Sequence, residues 1–191
     1  MIFELLAAIF GLIQGSLSLL NKRIHWFFYL LQLIVLIIFS WNEKLYGDVI
    51  ISIVFMFFCI VGFFFWNSKE YKHITSCTIK ERFGYSGVVC LGTFIVYLFL
   101  DQTNDPLPFL DAFTTVLSIV ALFYMVKHKI DTWFLWFTAD AVYVVQYASL
   151  ENPALYLLSL YVIWTLMAIA SYWYWFLVLK KESKEVFIHK S

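Results

Sequence analysis

Five residues of one short segment have types and spacing that could do chemistry. Trp133, Trp136, Asp140, Tyr143 and Tyr147 fall at offsets 0, 3, 7, 10 and 14. Helical neighbours recur three and four residues apart, so these side chains share one face. A carboxylate beside two indoles suits a flat ligand that is polar or positively charged. An indole face attracts a cation by about 0.5–2 kcal/mol, and more when water is excluded. The carboxylate would accept hydrogen bonds or offset the charge. The plainer reading makes Asp140 a protonated or helix-bonded group at a helix interface; against it, an ionisable group inside a bilayer is costly and points to function by default.

Other polar groups lie in apolar surroundings. Asp111, Thr114 or Thr115, and Ser118 share a helix face; such hydroxyls also bond back to their own backbone or to a neighbouring helix. Gln32 and Gln14 are polar residues of two earlier apolar runs. Asp48, Ser52, Phe55, Cys59, Gly62 and Trp66 form a stripe that reads mainly as packing. Cys59 and Cys90 read as small core hydrophobes, and the three cysteines have no zinc or CxxC spacing. The histidines (His25, His73, His128, His189) are expected at membrane edges, in loops or in the tail. Tyr172, Trp173, Tyr174 and Trp175 read first as an interfacial belt.

These residues need elements to position them, and composition says which. Of 191 residues 63% are hydrophobic and 14% charged, against about 45–50% and about 25% in soluble domains. Seven apolar runs are long enough, or nearly so, to span a bilayer: Ile2–Leu20, Ile24–Trp41, Tyr46–Trp66, Tyr85–Leu100, Phe109–Val126, Thr132–Leu150 and Pro153–Leu179. They do not alternate with period two, which argues against a β-barrel. Asn67 to Phe83 is the one connection long enough for an ordered loop or a short surface helix. The first run is too long for a signal peptide and lacks a basic start and a small-residue cleavage site. With the N-terminus outside, every basic residue except Lys44, of 13 in all, falls on the cytoplasmic side, as the positive-inside rule favours. The organisation expected is 1–66 as a first three-helix repeat, 67–106 as a cytoplasmic loop and linker helix, 107–179 as a second repeat and 180–191 as a frayed or surface-lying cytoplasmic tail.

The repeat has sequence traces. Gln32 lies 108 positions before Asp140, preceded by His25 and Phe28 as Trp133 and Trp136 precede Asp140. Gly62-Phe63-Phe64-Phe65-Trp66 echoes Ser171-Tyr172-Trp173-Tyr174-Trp175. An odd spacer helix makes the repeats parallel, and such repeats usually hold a substrate near the midplane. No catalytic, nucleotide-binding or metal motif appears, so an enzyme is not expected and no cofactor is implied. A formal net charge of zero gives no reason to expect nucleic acid. A membrane scaffold or interaction subunit is the alternative to a carrier, and it would not need the aligned Trp133, Trp136 and Asp140.

The chain resembles the PnuC (Pnu) family of vitamin transporters over nearly its full length. The resemblance is carried by Leu6-Ala7-Ala8-Ile9-Phe10-Gly11, by Lys44-Leu45-Tyr46-Gly47-Asp48, by the segment from Pro108 through Asp111, Thr114 and Thr115 to Ser118, and by the WxxW pair Trp133 and Trp136. It implies an all-α membrane protein with seven transmembrane helices in a 3+1+3 arrangement, similar to the sugar-transporting SWEET proteins. It implies facilitated diffusion of an unphosphorylated vitamin through a bacterial inner-membrane protein, often a homotrimer, with a cytoplasmic kinase trapping the substrate. Asp140 stands where the nicotinamide riboside branch tends to have Asn, Gln32 also where Asn is common, and Ser171 where Gly is common. A carboxylate with stacked aromatics would suit thiamine, so thiamine is the first expectation and nicotinamide riboside or another nucleoside the alternative. The expected substrate contacts are Trp133, Trp136, Asp140, Gln32, Thr115, Ser118, Asp111, Tyr143 and Gln14.

Overall fold

The computed structural model describes the backbone of residues 2–42, 46–67, 73–103, 106–149 and 155–188. Seven helices run through these residues: α1 (Ile2–Leu19), α2 (His25–Asn42), α3 (Tyr46–Phe65), α4 (Ile79–Leu100), α5 (Pro108–Val126), α6 (Thr132–Ala148) and α7 (Leu155–Ile188). Four segments are long and apolar enough to cross a membrane, His25–Asn42, Ile79–Leu100, Pro108–Val126 and Leu158–Glu182, while Leu5–Leu19 and Val49–Phe65 are shorter apolar helices. Along α4, Val88, Leu91, Phe94, Ile95, Leu98 and Phe99 are exposed. An apolar surface of that extent is a membrane-facing one, and the chain is an integral membrane protein.

Two helix boundaries differ from the sequence expectation. α4 starts six residues before Tyr85 because a capping box begins it: the Glu81 N–H donates to Thr78 Oγ1 at 3.2 Å, and the Thr78 N–H donates to the Glu81 carboxylate at 2.7 Å. This reciprocal pair satisfies two of the donors that a helix start leaves open. α7 does not fray at Leu179 but continues to Ile188. The added turns are rich in Lys and Glu and contain no Gly or Pro, which favours helix. Glu182 also meets His73 Nδ1 at 3.2 Å. Pro153, Glu151 and Asn152 lie outside the described residues.

The chain forms two compact units. Unit 1 comprises Met1–Ile74, Met125–His128 and Tyr174–Ser191. In it α1 packs on α2 and α2 on α3. The stripe expected on α3 is inward: Ser52, Cys59, Gly62 and Trp66 are buried and Phe55 is half-buried, while the side chain of Asp48 lies outside the described residues. Gly62 is required by contact, because a Cβ there would stand 2.5 Å from Trp26 Cε2. Arg23 closes the same corner, with Nε–H donating to the Phe63 carbonyl at 2.6 Å and the guanidinium 4.0 Å from the Phe63 ring centre. Gly62→Ala is expected to destabilise the protein by about 1–3 kcal/mol through overpacking, read as a lower thermal midpoint in detergent. An unchanged midpoint would mean that Trp26 can move aside.

Unit 2 comprises Thr75–Tyr124 and Lys129–Trp173. Its core joins Val89, Val116, Leu117, Val120, Ala121, Tyr124, Leu135 and Ala139, with Trp136 packed against them. Gly92 of α4 admits Val116 of α5, which a Cβ would meet at 2.9 Å. The start of α4 is clasped to the α5–α6 link. The Cys77 N–H donates to Asp131 Oδ2 at 2.7 Å, Arg82 reaches Asp131 Oδ1 at 2.9 Å and Lys129 reaches Glu81 at 3.1 Å. Burial, then the carboxylates of Asp131 and Glu81, push the Cys77 thiol up to about 12, so it stays protonated and unreactive. Cys59 is buried as expected. Cys90 is not the small core residue expected from its apolar surroundings: it is exposed, on a helix with an extensive outward apolar surface.

Candidate functional site

α6 gives the polar face a firm base. Thr132 is fully buried and its hydroxyl donates to the Ala121 carbonyl at 2.7 Å, tying the first turn of α6 to α5. Asp131 occupies the N-cap position without capping, because its carboxylate is engaged by Cys77 and Arg82. From this anchored start the five expected residues point inward. Trp133 is 6% exposed and Asp140 also 6%, while Trp136, Tyr143 and Tyr147 are half-buried. Of the residues between them, Phe134, Phe137 and Val145 are exposed, while Leu135 and Ala139 are buried in the core of unit 2. The five residues thus share the inward side of α6, as their spacing predicts.

The structure brings Asp140 and Tyr143 together with α5. The Tyr143 hydroxyl is turned toward the Thr114 side chain, with Asp111 and Asp140 close enough to act on it electrostatically. Thr114 is fully buried and donates back to the Leu110 and Asp111 carbonyls at 3.0 and 3.1 Å. Thr115 is half-buried, and Ser118 is buried on the same helix. Along α6 and α7, Tyr143, Tyr161 and Tyr147 form a stack: Tyr143 and Tyr161 lie 4.5 Å apart at 24°, and Tyr147 and Tyr161 5.4 Å apart at 19°. Trp164 meets Tyr161 edge-on at 5.3 Å. Sequence reasoning missed Tyr161 and Trp164, although they lie three residues apart on one α7 face.

Several buried polar atoms of unit 2 have no hydrogen-bond partner among the described residues: the indole nitrogens of Trp136 and Trp164, the Gln146 side-chain oxygen and the Thr93 hydroxyl. A buried polar group without a partner costs about 1–3 kcal/mol. No group of three His, Cys, Asp or Glu side chains among the described residues could hold a metal ion. In unit 1, Gln32 is 5% exposed with its side-chain oxygen unpartnered among the described residues, and Gln14 is half-buried.

Unit 1 also adds burial to the placement of the histidines and corrects one residue of the aromatic belt. His25 opens α2 and His128 lies in the α5–α6 link, at helix ends as expected, but both are buried, at 0% and 3% exposed. Both belong to a cluster with Trp26, Trp66 and Trp175. Tyr172, Trp173 and Tyr174 are exposed as a belt requires, but Trp175 is fully buried. Helix periodicity explains the split, because Ser171 and Trp175 lie one turn apart on the inward face, which alternates with the outward one.

Comparison with known proteins gives a family and a fold. The family described as nicotinamide mononucleotide transporter matches residues 1–177. The nicotinamide riboside transporter PnuC of Neisseria mucosa is 24% identical over 191 residues, spanning 93% of this chain and 73% of its own. The protein of that name from Escherichia coli K12 is 24% identical over 197 residues, spanning 87% and 81%. The crystal structure of the vitamin B3 transporter PnuC matches the fold with a TM-score of 0.75 at 23% identity, over 92% of this chain and 81% of that one.

Proposed function

Because this chain belongs to the PnuC family, described as nicotinamide mononucleotide transporters, we propose that it carries nicotinamide riboside across the membrane by facilitated diffusion. The family's members are transporters and not enzymes. The observation that carries the reading is the inward α6 face of Trp133, Trp136, Asp140 and Tyr143. The indoles border the flat cationic pyridinium ring. Asp140 offsets its charge or accepts from the ribose hydroxyls. Thr115, Ser118 and Asp111 supply further hydrogen bonds. Gln14 and Gln32 of unit 1 are separate mutational targets in the same proposal.

Charge separates the riboside from its phosphate ester. A phosphate dianion calls for Arg or Lys, and α5 and α6 contain neither. Four relatives named as nicotinamide riboside transporters favour that substrate over the thiamine expected from Asp140. Thiamine remains the second reading, and what favours it is the carboxylate of Asp140. The proposal includes a 3+1+3 arrangement of parallel repeats, supported by the paired positions Gly62 and Ser171, and Trp66 and Trp175, all buried. It also includes an inner-membrane location with the N-terminus outside, a homotrimer, and trapping of the product by a cytoplasmic kinase.

The test is uptake of nicotinamide riboside, thiamine and riboflavin into proteoliposomes. Uptake of nicotinamide riboside alone, unchanged by an imposed pH gradient at fixed membrane potential, is the expected result. Uptake of thiamine alone would replace the substrate, and strong stimulation by the gradient would replace the uniport mechanism.

A further inference from the structure

α1 and α5 end in the same way. Asn21 and His128 both have left-handed backbones, with φ of 55° and 57°. The Asn21 N–H donates to the Ser18 carbonyl and the Lys22 N–H to the Leu17 carbonyl, at 3.0 and 2.8 Å; the His128 N–H donates to Met125 and the Lys129 N–H to Tyr124, at 2.9 and 3.0 Å. Each ending is thus a Schellman motif, which usually takes glycine and sometimes asparagine.

Unit 1 ties these two helix ends together through side chains. The Trp175 indole N–H donates to the Ser18 carbonyl at 3.0 Å, at the end of α1, and the Trp66 indole N–H donates to the Met125 carbonyl at 2.9 Å, at the end of α5. The two indoles therefore bond the last turns of the two helices in a crossed pattern. His128 Nε2 lies 2.6 Å from Asn21 Oδ1. The His128 ring stacks on Trp66 at 4.2 Å and 17°, and meets Trp175 edge-on at 5.0 Å. His25, fully buried, packs 4.7 Å from Trp66. Lys22, Arg23, Lys127 and Lys129 flank the cluster in sequence.

We infer that the Asn21–His128 contact and the crossed indoles of Trp66 and Trp175 form a latch that closes the basic-loop end of the carrier and releases during transport. A carrier must open one end by separating packed elements without unwinding them. This cluster meets that need. Its ties are two indole hydrogen bonds, one Asn–His contact and ring packing, and all can part while every helix keeps its own backbone ladder. The ties also act at helix ends, where the Ser18 and Met125 carbonyls already accept the Asn21 and His128 N–H groups and take the indoles on a second lone pair. The inference rests on the chain being a carrier and not on which vitamin is carried.

Cys59 supplies a reporter. It is 1% exposed, on the same inward stripe of α3 as Trp66 and two turns deeper. Cys77, 6% exposed in unit 2, reports general unfolding. The experiment follows labelling of both thiols by a small membrane-impermeant maleimide in a Cys90→Ala background, with and without Trp66→Phe or Trp175→Phe. Each replacement removes one indole N–H and keeps an aromatic ring. The expected result is Cys59 labelling at least tenfold faster in either variant, with Cys77 labelling unchanged. Unchanged Cys59 labelling in both variants would overturn the inference. So would equal acceleration at Cys59 and Cys77, which would make the cluster a general staple of the fold.

Discussion

Asp140→Ala is expected to weaken nicotinamide riboside binding by more than tenfold, a loss above about 1.4 kcal/mol, with the thermal midpoint in detergent nearly unchanged. Asp140 is buried on the inward face of α6, beside Tyr143 and one turn from Trp136. Alanine removes the acceptor oxygens and leaves a cationic ring to pack against hydrocarbon and indole alone. Ala is also a better helix former than Asp, so the helix itself does not suffer. Asp140→Asn separates two roles of the carboxylate, because it keeps a carbonyl acceptor of the same reach and removes the charge. If hydrogen bonding to ribose dominates, Asn keeps affinity within a few-fold, as the resemblance to the Asn-bearing riboside branch suggests. Isothermal titration on the purified protein reads both variants. Wild-type affinity in Asp140→Ala would make the residue structural and remove the main support for the α6 face as the binding site.

The second large effect is expected in stability and not in binding. Asp131→Ala should destabilise unit 2 by about 1–3 kcal/mol, mostly through the Cys77 N–H that its carboxylate accepts at 2.7 Å. That contact is buried, so the donor has little access to water as a substitute partner. The Arg82 side chain is 54% exposed, so it regains water when the pair is broken and contributes little. Asp131→Asn keeps an acceptor for Cys77 and should lose clearly less than Ala. Thermal unfolding monitored by tryptophan fluorescence decides the order. Equal losses for Asn and Ala would shift the stabilisation from the Cys77 hydrogen bond to the charge.

The parts legible in the sequence were those governed by local periodicity. The face of α6 follows from spacings of three and four, and the α3 stripe ending in Gly62 and Trp66 follows from the same rule. Thr78 and Glu81 were legible as well, since Thr-x-x-Glu ahead of an apolar run is a helix-start signature; reading the apolar run alone began α4 too late at Tyr85. The end of α7 was set too early, at Leu179, because charge was taken for a helix end, whereas Lys and Glu sustain a helix that has already been started. The burial of His25 and His128 was not legible. It depends on Trp66, Trp175 and Asn21, and the Asn21–His128 contact joins residues 107 positions apart. No local pattern announces a pairing over that distance.

The left-handed endings at Asn21 and His128 also bound how this sequence can drift. In that backbone glycine is free of steric cost, asparagine is tolerated, and most other side chains cost roughly 1–2 kcal/mol. A change to glycine at either position would relax one loop and delete the Asn–His contact in the same step. A change to another side chain would have to satisfy the backbone and also find a partner in the opposite loop. Viable replacements are therefore pairs, and substitutions at residues 21 and 128 should be inherited together or compensated soon after one another.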